Sequence, residues 1–148
     1  MRDSFNDSGC DDSMRREFII DGNDFNDIEG FYSIIDRLFT KGLDWKTGHN
    51  LNAFNDILRG GFGVHDYGEP IKIIWKNFAL SRKTLGYEET VKNYEKWLPR
   101  CHPTGVESMK ARLADARNET GETLLDIIVD IILDTDDSGH DCILEIIE

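Results

Sequence analysis

Three short apolar runs lie far apart in this chain: Phe18-Ile19-Ile20, Ile71 to Trp75, and Cys142 to Ile147. Turn residues bound them, Asp21-Gly22 after the first and Ser138-Gly139 before the last. Runs this short, flanked in this way, read as strands. Lys72 interrupts the second, which is otherwise apolar and is expected to be buried on both faces of a sheet. Between the first two runs the apolar period changes to that of helices. Asn26, with Glu29 three residues on, is expected to cap a helix whose stripe is Ile28, Phe31, Tyr32, Ile35, Leu38 and Phe39, stopped at Lys41-Gly42. A second helix from Asn50 to Leu58 turns Leu51, Phe54 and Leu58 inward and Asn52, Asn55, Asp56 and Arg59 outward, ending at Gly60-Gly61. After the second run a polar stretch starts at Ser81, followed by a helix over Glu88–Leu98 halted by Pro99. Thr104 with Glu107 reads as a capping box opening a helix to about Arg117. A last helix, Thr123–Asp134, faces Leu124, Leu125, Ile127, Ile128, Ile131 and Ile132 inward.

Strands alternating with helices require crossover connections. The expected fold is therefore α/β, a small three-stranded parallel sheet covered by helices, with an extra two-helix insertion at about 82–120. Residues 1–16 carry no apolar period and are expected to form a tail, leaving 17–148 as one domain. At 148 residues the chain can bury a core without staples.

Charge narrows the partners. Lys and Arg number 17 against 29 Asp and Glu, a formal net charge of −12. Such a field repels phosphate backbones and anionic lipid, so neither direct nucleic-acid binding nor a membrane surface is expected, whereas a basic protein is attracted. Cys10, Cys101 and Cys142 are odd in number and lack metal-ligand spacing, so neither a disulfide framework nor a zinc site is indicated. No run is long enough to span a membrane, and the first residues lack the apolar stretch of a signal peptide. The expectation is a cytoplasmic protein, monomeric before it meets its partner.

Catalytic patterns are absent. Gly60-Gly61-Phe62-Gly63 lacks the GK[ST] of a phosphate loop and follows a helix, and there is no GxSxG or HExxH. Cys101 and His102 are adjacent, which does not let two side chains face each other, and Pro103 marks a loop. Neither an enzyme nor a cofactor or metal is expected. One pattern rises above the acidic background: Glu122, Asp126, Asp130 and Asp134 recur every four residues on one helix face. Like charges at that spacing cost a helix ~0.2–0.5 kcal/mol per pair. No Lys or Arg follows Glu119 to relieve them. The stripe reads either as a solvated face or as a docking surface for a cationic protein.

The stretch Gly48-His49-Asn50-Leu51-Asn52-Ala53-Phe54-Asn55-Asp56-Ile57-Leu58 resembles the signature of the barstar family, Gly-x-Asn-Leu-Asp-Ala-(Leu/Phe)-x-Asp-x-Leu. The strand Phe18–Gly22, the strand Ile71–Trp75 with Phe78, and Leu124–Ile147 are similar to its other elements, so the resemblance covers most of 17–81 and 121–148. It implies an inhibitor or immunity protein that binds a cognate basic ribonuclease toxin in the cytoplasm and blocks its active site with acidic residues. Asp56 falls at the family's inhibitory aspartate, and a barstar aspartate is itself a reference example of an extreme interface hot spot. Asp130 falls near the acidic residue that the family's last helix presents. The implied contact set is Asp56, Asn52, Asn55, Lys46, His49 and Arg59, with Asp126, Asp130 and Asp134 on the last helix. Asn52 stands where the family usually has Asp, Asn55 where its best-known member has Trp, and Lys46-Thr47 where that member has two tyrosines. The alternative is an acidic regulatory module for a basic, non-enzymatic partner, with a hydrolase using an acid pair as a third reading.

Overall fold

The computed structural model describes residues 15–40, 50–61, 64–134 and 140–148. Strands β1 (Arg16–Asp21), β2 (Ile71–Lys76) and β3 (Cys142–Ile146) form a parallel sheet in the order β1-β2-β3. Phe18 lies opposite Ile73, which lies opposite Leu144. Both crossovers step in the same direction, and right-handed connections that do so place their helices on one face of the sheet. Burial alternates accordingly. Phe18, Ile20, Ile71, Ile73, Trp75 and Cys142 point into the core. Glu17 and Ile19 lie on the other face, where Ile19 is 47% exposed and Lys72 pairs with Glu145 at 3.0 Å across the strands. The expectation that β2 is buried on both faces is thus corrected: on its other face Lys72 and Ile74 are only partly covered and Lys76 is exposed.

Helices α1 (Ile28–Phe39) and α2 (Leu51–Leu58) fill the first crossover. The second holds α3 (Phe78–Thr84), α4 (Tyr87–Trp97), α5 (Val106–Arg117) and α6 (Leu124–Leu133). Trp75 is the hub of the core. Phe31 of α1 stacks on it at 5.7 Å and 13°, and Phe78 of α3 meets it edge-on at 5.4 Å. Phe54 of α2 packs edge-on against Phe31, also at 5.4 Å. The indole N–H donates to Ser81 Oγ at 2.9 Å, so the largest buried side chain leaves no orphan donor. Gly22 lets α3 approach β1, because a Cβ there would lie 2.4 Å from the Asn77 carbonyl oxygen.

Local details depart from expectation. Asp27, not Asn26, caps α1, its Oδ1 accepting the Gly30 N–H at 2.7 Å. Ile34 takes the buried place expected for Leu38, which is only partly buried. In α2, Ile57 is buried with Phe54 and Leu58, while Leu51 is partly covered. In α6, Leu124, Leu125, Ile128 and Ile132 are buried and Ile131 is only partly so. Helix α3 was not expected: Asn77 starts it from a left-handed conformation (φ 52°), which the sequence does not advertise. Thr104 and Glu107 form no capping box. His102 Nδ1 accepts the Thr104 N–H in a tight turn over Pro103–Gly105, and α5 starts behind Gly105 without a side-chain cap. Arg16 opens β1 and so belongs to the sheet and not to a tail, and the Arg15 side chain before it donates to the carbonyls of Ile71 and Asp141 and to the Asp141 carboxylate. Lys41-Gly42 and Ser138-Gly139 fall outside the described residues.

The 82–120 segment is tied in by polar contacts. Glu89 of α4 accepts the Ile28 N–H at the start of α1 (2.8 Å), and Lys96 pairs with Glu29 (3.0 Å). Thr90, fully buried, accepts the Leu124 N–H at 2.8 Å and donates to the Gly86 carbonyl at 2.7 Å. Tyr94 is buried beside it in α4, and the Tyr87 hydroxyl donates to the Gly121 carbonyl. Helix α4 thereby supplies hydrogen-bond partners to the N-termini of both α1 and α6. Thr90→Val, which keeps the shape but orphans the Leu124 N–H, is expected to lower unfolding stability by ~1–3 kcal/mol. Urea denaturation measures it, and an unchanged midpoint would mean the bond does not anchor α6.

Candidate functional site

Helix α2 presents a polar face on an apolar base. Asn50 caps it, its side chain accepting the Ala53 N–H at 2.8 Å. Phe54, Ile57 and Leu58 are buried, and Asn52 and Asp56 stand on the exposed side with Asn55 and Arg59 partly covered between them. The Asp56 side chain is 62% exposed, and Arg59 reaches it only at 3.4 Å. A loose pair of this kind contributes little to stability, so the carboxylate is held in place but not consumed.

What immobilises α2 is the turn behind it. Gly60 (φ 91°) has no room for a side chain, because a Cβ would lie 2.2 Å from the Asp66 carbonyl oxygen. The Gly61 N–H donates to the His65 carbonyl, and the Gly68 N–H to that of Arg59. His65 is buried, its ring edge-on to Phe18 and Phe39 at 5.6 Å each. Its Nε2 lies 3.1 Å from the Leu58 carbonyl oxygen, which can only accept, so Nε2 carries the proton. The same device ends α6, where His140 Nε2 donates to the Ile132 carbonyl at 3.1 Å. Glu69 closes the turn. Its carboxylate accepts the Asp66 N–H and pairs with Arg16 at 3.1 Å, which holds its pKa below the usual carboxylate range, the backbone bond being the larger cause. Tyr67, in the same turn, is 73% exposed.

The acidic stripe of α6 divides on inspection. Asp126 accepts the Thr123 N–H while Thr123 accepts its N–H, a capping box that gives this carboxylate a structural role. Glu122 and Asp130 share a hydrogen bond between carboxyls, which together with partial desolvation pushes Glu122 above the usual carboxylate range. Asp134 is the C-terminal cap, where the helix dipole disfavours an anion. Asp130 therefore sits where the helix gains nothing from its charge, and Asp134 sits against the helix dipole. Helix α6 packs directly against α2, so the two faces belong to neighbouring elements.

Sequence reasoning thus singled out α2 and the α6 stripe; the fold packs α6 against α2, and Asp126 and Asp130 line a groove that α6 shares with α3 and β3. Asn52, Asn55, Asp56 and Arg59 share one face. Lys46 and His49 lie outside the described residues. His65, His140 and Tyr67 were missed. The signal for the first of these is a Gly-Gly helix stop followed within a few residues by a histidine. Among the described residues no group of His, Cys, Asp and Glu could hold a metal, and no helix is long and apolar enough to cross a membrane.

A family model described as Barstar (barnase inhibitor) matches residues 15–102, the stretch from β1 through α4. Helices α5 and α6 and strand β3 lie beyond the matched residues. No curated protein matches the chain.

Because the folded state raises the Glu122 pKa, its contribution is stabilising below the ordinary carboxylate range and is lost as pH rises through the shifted value. Glu122→Gln keeps a hydrogen-bond donor to Asp130 without the second charge. It is expected to raise the thermal midpoint at pH 7 and to leave it unchanged at pH 3. Thermal melts across that range check this, and equal effects at both pH values would break the assignment.

Proposed function

Because the chain belongs to the barstar family of ribonuclease inhibitors, we propose that it is the immunity protein of a basic ribonuclease toxin, acting in the cytoplasm of the producing cell and plugging the toxin's active site with Asp56. Members of this family are inhibitors rather than enzymes. The observation that carries the reading is the exposed, weakly engaged Asp56 carboxylate on a helix held by buried Phe54, Ile57 and Leu58 below and by the His65 turn behind.

A ribonuclease cleft binds phosphate through Arg, Lys and His donors. A carboxylate offered on a rigid helix satisfies the same donors without a scissile bond. Rigidity matters because an interface gains affinity when its anchor is ordered before binding. Asn52 and Asn55 supply neutral donors and acceptors flanking the anchor, and Arg59 keeps Asp56 oriented until a stronger cationic partner replaces it. Asp130 and Asp134, with the net charge of −12, extend the attractive field over the neighbouring helix and speed encounter. Asp126 contributes to that field while serving as a cap. Lys46 and His49, which precede α2 in sequence, complete the proposed contact set.

Asp56→Ala is expected to weaken binding of the cognate ribonuclease by ~2 kcal/mol or more, as for a buried interface anchor. Isothermal calorimetry measures it, and a loss below ~0.5 kcal/mol, the scale of a neutral surface change, would remove Asp56 as the anchor. Asp130→Asn with Asp134→Asn is expected to slow association and flatten its salt dependence while leaving dissociation nearly unchanged. Stopped-flow rates indifferent to the pair of substitutions would return the stripe to an ordinary solvated face.

A further inference from the structure

A concave surface lies between α3, α6 and the end of β3, and none of its lining residues belongs to α2. It encloses about 610 Å³, within the ~300–1,000 Å³ of ligand clefts. Phe78, Leu125, Val129 and Ile146 make an apolar floor, and Ile146 is left 43% exposed there. Glu122 and Asp130 form one wall. Arg82 stands among the lining residues too, but both of its terminal nitrogens are engaged by the Glu148 carboxylate, at 2.5 and 2.8 Å.

These features select an occupant. Glu122 and Asp130 line the same wall with Asp126, and neighbouring carboxylates favour a cation between them. A bare metal ion is a poor fit, since no group of three suitable ligands exists among the described residues. Phosphate and acidic peptides are repelled. A second copy of this chain would bring another −12 to the same wall. What matches an apolar floor beside an acidic wall is a chain segment with apolar and basic side chains in alternation, whose long cationic side chains lay their stems on the floor and their heads against the carboxyls.

We propose that this groove docks a basic, amphipathic segment of a protein partner, with apolar residues over Val129 and Ile146 and a lysine or arginine at Glu122 and Asp130. No residue of α2 lines the groove, but Asp126 and Asp130 also belong to the proposed ribonuclease contact set, so a docked segment and a bound ribonuclease are expected to compete for the α6 wall.

The probe is a short fluorescein-labelled peptide of alternating leucine and lysine, titrated with the intact chain at physiological ionic strength and read by anisotropy. Saturable binding is expected. Glu122→Gln with Asp130→Asn should weaken it about tenfold, the scale of a lost interfacial charge pair. Ile146→Gln, at an exposed position, should weaken it without unfolding the chain, which circular dichroism confirms. Two controls separate this site from bulk charge and from α2. Glu88→Gln with Glu107→Gln removes the same charge elsewhere and should change affinity less than about twofold, and Asp56→Ala should leave it unchanged. Three outcomes overturn the proposal: no saturable binding, equal weakening by both charge-neutralising pairs, or sedimentation showing a self-association that Ile146→Gln abolishes, which would make the groove a homodimer face.

Discussion

Three helices are positioned by one buried indole. Trp75 sits on the central strand with α1 stacked on its face through Phe31, α3 against its edge through Phe78, and α2 one ring further out through Phe54. Ser81 takes its only polar atom. Because aromatic rings pack with directional preferences, this chain of contacts sets angles as well as distances. The orientation of α2, and therefore of Asp56, is inherited from β2 through two rings. A sheet wound in one direction adds a second constraint: with all helices on one face, the presented helices share a single core and cannot shift independently.

The ends of the two presenting helices show how rigidity is obtained without extra length. A helix leaves its last carbonyls without intrahelical donors. Buried imidazoles answer at the ends of both α2 and α6, from His65 and His140. Each ties a residue further along the chain to a carbonyl at its helix's end. In α2, which is only eight residues long, such anchoring matters more than intrinsic helix propensity, since helices this short are not stable alone. The segment from α3 to α5 does similar work at the other ends, where Glu89 and Thr90 accept the N–H groups that α1 and α6 leave open.

In this frame the Nδ1 of His65 is buried without a hydrogen-bond partner, and the acids of α6 stand out in a different way. Asp126 completes a cap, but Asp130 repels Glu122 at close range and Asp134 opposes the helix dipole. A fold consistent at most levels concentrates its inconsistencies at sites of function. Asp130 and Glu122, whose like charges oppose each other in the free protein, gain a counter-charge when a cation arrives.

Much of this was legible in the chain. Short apolar runs and the change between two- and four-residue periods identify three strands, and the crossover rule then leaves a parallel sheet. The polar side of α2 follows from spacing alone, since Asn52, Asn55, Asp56 and Arg59 must share a face if Phe54 and Leu58 share the opposite one. The sequence could not show that the sheet is covered on one side only, because that depends on the direction in which both crossovers step. Nor could it show α3, whose start depends on Asn77 adopting a left-handed backbone, or the roles of His65, Thr90 and Glu89, which hold partners 7, 34 and 61 residues away. Local pattern carries information about faces and periods because neighbours in sequence are neighbours on a helix or strand. Which buried polar group meets which distant backbone atom is decided only when packing brings them together.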